Sequence, residues 1–204
     1  MKKILLSGFE PFLHFKVNPT MKIVEELNGT NINNYEIHGV ILPVDFEKSA
    51  KQLLEKIDEI KPDVVVSLGL AGGRYKITPE RFAVNIKDGE PDNNQVAPKD
   101  QLIVEDGETA FFPTIPIREI VDRLIEEGLP AEISNTAGTY LCNNVMYSAL
   151  HHAKINNLSY QSGFIHIPAS HELAIQHGKI PSWSHSDLKR AVEISLDVIT
   201  SEAN

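Results

Sequence analysis

The sequence predicts an α/β protein: a three-layer α/β/α sandwich with a largely parallel, twisted sheet, in a single domain spanning residues 1–204. Segments with strand-like and helix-like apolar patterns alternate over most of the chain. Residues 64–70 are apolar at every position except Ser67 and Gly69, which is typical of a strand covered by helices on both faces. A length of 204 residues suits one domain, and no repeat or linker divides it.

The first half of the chain begins with a short apolar run over residues 3–9, which predicts a buried first strand. Asn18 and Pro19 are typical N-cap and N1 residues, so a short helix follows and closes near residue 28. Residues 35–42 predict a second strand, which stops at a proline. The next helix covers residues 46–60, where apolar side chains recur at helical spacing.

The second half repeats the alternation. After the strand at 64–70, residues 117–125 predict a helix, and a strand is expected around Ala131 to Ser134. Residues 141–153 predict the helix that carries Cys142, and residues 163–168 a late strand. A terminal helix over residues 188–199, capped by Ser184 or Ser186, completes the pattern. Residues 87–108 form one long irregular segment, which we expect to be a functional loop or subunit contact.

The composition limits the possible functions. The chain has 19 basic and 28 acidic residues, a formal charge of −9, which argues against a nucleic-acid surface. The N-terminal apolar run is too short for a signal peptide, and no segment reaches the length of a membrane span. A single cysteine has no disulfide partner within the chain and fits a reducing compartment. We therefore predict a cytoplasmic protein that binds neither nucleic acid nor membrane.

Cys142 lies where a turn of small residues gives way to a helical pattern. Backbone N–H groups at a helix N-terminus favour a thiolate, so the thiol is a candidate nucleophile if a histidine reaches it. A lone cysteine is nevertheless more often a small buried apolar residue.

Two further side chains are candidates for partners of this thiol. His166 lies between Ile165 and Ile167 near the end of the last predicted strand, where a desolvated imidazole needs a partner. It is either packed against backbone or paired with the cysteine. Glu80 is either in an ion pair with Arg74 or Arg81, or the carboxylate that orients the histidine. The sequence leaves both questions open.

Common metal and serine-hydrolase motifs are absent: the chain has no His-Glu-x-x-His, Cys-x-x-Cys, calcium loop or Gly-x-Ser-x-Gly. Gly72 and Gly73 only weakly resemble a phosphate cradle, and close backbone packing is the plainer interpretation. We therefore predict no metal site, and a serine hydrolase lacks support.

Four segments, in this order along almost the whole chain, resemble the pyroglutamyl peptidase I (pyrrolidone-carboxylate peptidase) family of cysteine peptidases. They are Ser7–Phe12 with Asn18-Pro19, Gly72–Asn85, Ser134–Asn143 and Ser162–Pro168.

The resemblance implies an α/β/α sandwich that removes an N-terminal pyroglutamyl residue from peptides without a cofactor. It implies Cys142 as nucleophile, His166 as general base and acid, and Glu80 as the orienting carboxylate. It also implies a homotetramer in the cytosol. The positions that match the family's lactam pocket are Phe9, Phe12, Val44, Tyr140 and Leu141.

The chain departs from the family pattern in the long loop. Asp88–Asn93 reads Asp-Gly-Glu-Pro-Asp-Asn, one residue shorter than the usual Asp-Ala-Arg-Ile-Pro-Asp-Asn, and lacks its arginine and isoleucine. The Ala-Ser-His-Glu after Pro168 also differs from the usual Tyr-Ile-Pro-Glu. We expect weaker or altered activity rather than a different reaction.

Two other functions fit the same residues. One is a small-molecule or anion-binding protein, or a phosphorylase-like enzyme, on a similar sandwich, with Gly72, Gly73 and Arg74 holding the anion and Cys142 inert. The other is a family member that binds pyroglutamyl groups with reduced or no activity.

Overall fold

The computed structural model describes residues 1–12 and 15–201. In these residues the strands are β1 Lys2–Phe9, β2 Asn31–Ile32, β3 Tyr35–Leu42, β4 Val64–Leu70, β5 Thr78–Pro79, β6 Ala83–Val84, β7 Ala110–Phe111, β8 Gln161–Ile167, β9 Ala169–Ser170 and β10 Ser182–Trp183. The helices are α1 Pro19–Leu27, α2 Lys48–Ile60, α3 Ile117–Glu126, α4 Leu141–Ile155, α5 His171–His177 and α6 His185–Thr200. No helix in the described part of the chain is both long and apolar enough to span a bilayer.

The main sheet has the strand order β2-β3-β1-β4-β8-β5. Its four long strands, β3, β1, β4 and β8, are mutually parallel, and the short strands at the two edges are antiparallel to their neighbours. The expected largely parallel sheet is therefore confirmed, with antiparallel edges added.

Helices cover both faces of this sheet because successive side chains of a strand point to opposite faces. Ile4 and Leu6 of β1 belong to the apolar core that contains the buried faces of α1, α3 and α6. Leu5, between them, belongs to the second core, with α2 and α4. The three-layer sandwich is confirmed.

Local capping explains where three helices begin. The Asn18 side chain accepts a hydrogen bond from the Thr20 amide at 3.1 Å, next to the N1 proline of α1. Asp45 accepts from the amides of Glu47 and Lys48 at the start of α2. Of the two serines expected to cap α6, the structure selects Ser184, whose hydroxyl accepts from the Asp187 amide at 3.1 Å.

One predicted strand is wrong. Residues 131–134 form only two isolated parallel bridges, Ala131 to Ile77 and Ser134 to Glu80. The strand that lies beside β8 at this edge of the sheet is β5, which was not predicted, because a proline within a run argues against a strand. Pro79 is tolerated here because β5 lies at the edge of the sheet.

Candidate active site

The ends of β1, β4 and β8 and the start of α4 border one cavity of about 290 Å³. This arrangement follows from the parallel sheet, in which the carboxyl ends of neighbouring strands lie at the same edge. The lining residues are Phe9, Phe12, Asn18, Val44, Leu70, Ala71, Arg74, Thr136, Ala137, Gly138, Tyr140, Leu141, Cys142 and His166.

His166 and Glu80 are in direct contact. His166 lies in β8 with Gly69 of β4 on one side and Thr78 of β5 on the other. Its Nδ1 is 2.6 Å from Oε1 of Glu80, whose side chain is fully buried. The bond occupies Nδ1, so Nε2 is the ring nitrogen left for chemistry on the cavity side.

Gly69 makes room for this imidazole. A Cβ atom at Gly69 would lie 2.9 Å from Cδ2 of His166 and 2.6 Å from the Phe164 ring, closer than real Cβ contacts allow. The position of His166 therefore depends on a residue without a side chain on the neighbouring strand.

Arg74 also binds Glu80. Its Nη1 donates to Glu80 Oε1 at 2.7 Å and to Thr78 Oγ1 at 2.6 Å, and its Nη2 donates to the Thr136 carbonyl at 3.1 Å. The two interpretations of Glu80 that the sequence left open, an ion pair with Arg74 and a contact with His166, thus hold together. Between the two arginines considered, Arg74 is the partner.

Cys142 is half-buried and is the second residue of α4, as expected from the sequence. The N-cap residue Tyr140 makes no side-chain capping hydrogen bond to this helix, which leaves the first N–H groups of α4 open to a ligand as far as the described residues show. Although burial disfavours the imidazolium, negative charge at the neighbouring Cys142 and the Glu80 carboxylate together raise the pKa of His166 to about 9. Cys142 and His166 thus line one cavity, and Glu80 binds the Nδ1 of the imidazole.

The walls of the cavity are mostly apolar. Phe9, Val44 and Leu141 are buried, and Phe12 and Tyr140 are half-buried. All five positions that the resemblance assigned to a lactam pocket line this cavity. Tyr140 packs edge-on against a neighbouring phenylalanine and donates its hydroxyl hydrogen bond to the Pro91 carbonyl at 3.2 Å. Burial, followed by nearby negative charge, raises the pKa of Tyr140 to about 12, so the hydroxyl is a neutral donor.

The shortened loop, residues 88–93, buttresses the cavity from behind and does not line it. Asp88 exchanges hydrogen bonds with Thr139: its amide donates to the Thr139 carbonyl at 2.9 Å, and its carbonyl accepts from the Thr139 hydroxyl at 2.8 Å. The Asn93 amide donates to the Val44 carbonyl, and its side chain donates to Glu10 and to the Pro11 carbonyl. The loop is thus anchored to both walls despite its departure from the family pattern.

Sequence reasoning missed part of the lining. Asn18, given a capping role and a place in the first family segment, was not named as a pocket residue, and neither were Leu70, Ala71 and residues 136–138. Their positions gave a usable signal, because they follow a buried strand or precede the cysteine directly. Gly138, with φ +76°, makes the left-handed turn that leads into α4.

A family model described as pyroglutamyl peptidase matches residues 2–202 of the chain. The chain belongs to the pyroglutamyl peptidase family. Among curated members, the pyrrolidone-carboxylate peptidase of Lysinibacillus sphaericus is 59% identical over 197 residues, covering 97% of this chain and 96% of that protein. The one from Oceanobacillus iheyensis is 50% identical, covering 96% and 98%.

Solved structures of the family share the fold. The pyrrolidone carboxyl peptidase from Thermococcus litoralis superposes with a TM-score of 0.94 at 40% identity, covering 98% of this chain and 93% of that one. A mutant of the Pyrococcus furiosus enzyme gives a TM-score of 0.94 at 42% identity, covering 97% of each chain. Within residues 1–12 and 15–201, no cluster of three or more His, Cys, Asp or Glu is arranged to hold a metal ion.

Proposed function

We propose that the protein is a cysteine exopeptidase that hydrolyses the amide bond after an N-terminal pyroglutamyl residue. The observation that carries the proposal is the placement of Cys142, at the N-terminus of α4, in the same apolar cavity as the imidazole that Glu80 binds. Cysteine beside an imidazole that a third group orients is the arrangement needed for acyl transfer.

The proposed reaction has two halves. The Cys142 thiolate attacks the carbonyl carbon that joins the lactam ring to the next residue, while N–H groups at the start of α4 stabilise the oxyanion. The imidazolium of His166 gives its Nε2 proton to the leaving amine as the C–N bond breaks, which leaves a thioester. His166 then takes a proton from water as the resulting hydroxide attacks the thioester carbon. The C–S bond breaks, pyroglutamate is released, and the thiolate and the imidazolium are regenerated.

The cavity fits the chemistry of the substrate. Its volume of about 290 Å³ lies at the low end of the range for small-molecule pockets. A lactam ring has apolar faces and no ammonium group, so aromatic walls suit it. None of the described residues that line the cavity carries a carboxylate that could pair with a free N-terminal amine. We therefore expect a blocked, lactam-type N-terminus to be selected over a free prolyl one.

A pair of fluorogenic amides tests this proposal. The pyroglutamyl amide should be hydrolysed, and the prolyl amide, which differs by an oxo group and carries a charged amine, should react at least about 10²-fold more slowly in kcat/KM because its ammonium group loses hydration without a partner. Stoichiometric iodoacetamide should stop the reaction. Equal hydrolysis of both amides, or turnover that survives alkylation of Cys142, would contradict the proposal.

The contacts of Arg74 argue against the anion-binding alternative. Its guanidinium is already engaged by Glu80, Thr78 and the Thr136 carbonyl, so it is not a free cation for phosphate.

The alternative of a family member with reduced activity is favoured by one observation, the missing arginine and isoleucine in residues 88–93. Slow turnover by a thiol that alkylates rapidly would identify it. A cytoplasmic homotetramer, implied by resemblance, stays a prediction.

A further inference from the structure

Glu80 is a charged group in an unusually demanding position. Its side chain is fully buried, and its Oε2 has no hydrogen-bond partner among the described residues. All the stabilisation of the carboxylate therefore reaches it through Oε1, which His166 Nδ1 and Arg74 Nη1 share. A buried carboxylate depends strongly on its cationic partners, because removing one leaves buried charge without compensation.

The charges around the proposed catalytic groups alternate. When Cys142 is a thiolate and His166 an imidazolium, the charges alternate in this order: Arg74 positive, Glu80 negative, His166 positive and Cys142 negative. On the Cys142 side, Tyr140 adds a neutral group and Asp92 and Glu90 of the loop beyond it add negative charge. Arg81 follows Glu80 in the chain, but among the described residues the ion pair of Glu80 is with Arg74 and not with Arg81. Without Arg74, this half-buried site would hold an excess negative charge that opposes ionisation of the thiol.

Arg74 also joins two segments. The loop between β4 and β5 carries its backbone, and its Nη2 binds the carbonyl of Thr136 in the turn that leads to Cys142. That turn lines the cavity through residues 136–138. A planar guanidinium can serve the carboxylate, the Thr78 hydroxyl and this carbonyl at once, whereas an ammonium group is a point charge without that fork.

We propose that Arg74 is a positioning residue for the reaction: it neutralises Glu80, so that the thiolate-imidazolium pair forms, and it holds the turn before Cys142 in place. This inference rests on the proposed function. It makes Arg74 a second support of the histidine, behind the carboxylate.

Alkylation of Cys142 by iodoacetamide across a pH series tests the charge role without requiring turnover. In Arg74→Gln the acid limb of the alkylation profile should move to higher pH by about one unit, because the lost positive charge favours the protonated thiol. At a fixed pH on this limb, the alkylation rate should therefore be about tenfold lower than in the wild type. Lys76→Gln is the matched control, because it removes a positive charge on the same segment, where Lys76 pairs with the exposed Glu132 at 2.6 Å. Its limb should stay at the wild-type pH.

Hydrolysis of the pyroglutamyl amide tests whether Arg74 needs the planar, multi-donor geometry of its guanidinium group. Arg74→Lys should keep the wild-type acid limb yet lose about tenfold or more in kcat, because one ammonium group cannot hold all three acceptors. Added guanidinium should partly restore Arg74→Ala and leave Lys76→Ala unchanged. Wild-type kcat in Arg74→Lys would overturn the inference. So would an acid limb of the alkylation profile that lies at the same pH in Arg74→Gln and wild type, or a shift of that limb in Lys76→Gln equal to the shift in Arg74→Gln.

Folding and function are separated within the same set. If Arg74→Gln does not fold, the kcat and the acid limb of Arg74→Lys decide alone. If the wild-type protein alkylates but does not hydrolyse the amide, the proposed function fails, and the alkylation profiles still test Arg74.

Discussion

Glu80 serves two partners through one oxygen atom. Its Oε1 accepts hydrogen bonds from His166 at 2.6 Å and from Arg74 at 2.7 Å. Such charge-assisted hydrogen bonds are short and strong, and they fix the direction in which the imidazole points. The same carboxylate therefore contributes to stability and, under the proposed mechanism, to catalysis.

Glu80→Gln separates these contributions. The amide is nearly the same size but cannot balance an imidazolium, so kcat/KM for the pyroglutamyl amide should fall by about 10²–10⁴-fold. Stability to urea should fall by only about 1–3 kcal/mol, since Arg74 is one-third exposed and regains water. Glu132→Gln, which removes an exposed ion pair with Lys76, is the control and should leave turnover unchanged. Unchanged turnover per folded molecule of Glu80→Gln would make Glu80 purely structural.

The pH dependence of hydrolysis should report His166. Its pKa is raised from the ordinary 6.5 to about 9, so the proton needed by the leaving amine is retained through neutral pH. The kcat/KM for the amide should therefore stay high above pH 7 and fall as the pH rises through about 9. A fall centred near 6.5 would show that the histidine is not held as an imidazolium.

Residue patterns alone identified these side chains but not their contacts, and only the resemblance assigned Glu80 to His166. The lone cysteine at a helix start and a histidine between isoleucines were visible as candidates. The pairing of Glu80 was not, because Arg74 and Arg81 are both near it in sequence, and only the turn after β4 brings the first of them to the carboxylate. That an ion pair and a histidine contact share one oxygen could not be read from residue order.

The register between β4 and β8 sets the position of the histidine. It places Gly69 directly beside His166. The register is fixed in turn by burial on both faces, since a shift of one residue would exchange the two apolar cores.

Gly69→Ala tests this dependence. The new methyl group would clash with the rings of Phe164 and His166, so it should cost about 1–3 kcal/mol of stability and displace the imidazole, lowering kcat by up to about 10²-fold. Gly73→Ala is the matched control, because no atom of the described residues lies within 4 Å of the place a Cβ would take there, and its φ is not positive. Wild-type turnover in folded Gly69→Ala would mean that the site tolerates a moved histidine.

Strands and helices were predicted correctly where their side chains are continuously buried, and wrongly where only one or two residues pair with a neighbouring strand. The continuous apolar run of β4 was predicted with its bounds, since covered parallel strands have that pattern. The alternation over residues 131–134 resembles a strand, but only two of its residues bridge to a neighbour. The short helix α5 was also missed; at seven residues it is too brief for a clear apolar period.

The whole molecule explains how residues so far apart in sequence reach one cavity. Parallel strands with helices between them direct β1, β4, β8 and the turn before α4 to the same edge of the sheet. The fold class was predictable because this alternation covers most of the chain. The exact cavity was not, because its shape depends on loops such as residues 88–93, whose hydrogen bonds to both walls leave no periodic signal in the sequence.

The most direct test of the proposed chemistry is intact-mass spectrometry of the protein, quenched in acid while it hydrolyses an activated pyroglutamyl ester. An activated leaving group needs no proton from His166, so acylation outpaces hydrolysis and the thioester accumulates. We predict one pyroglutamyl group per molecule, mapped to the peptide that contains Cys142, and none in Cys142→Ala. Undiminished hydrolysis by Cys142→Ala, or an acyl group on another residue of the wild-type protein, would contradict the account.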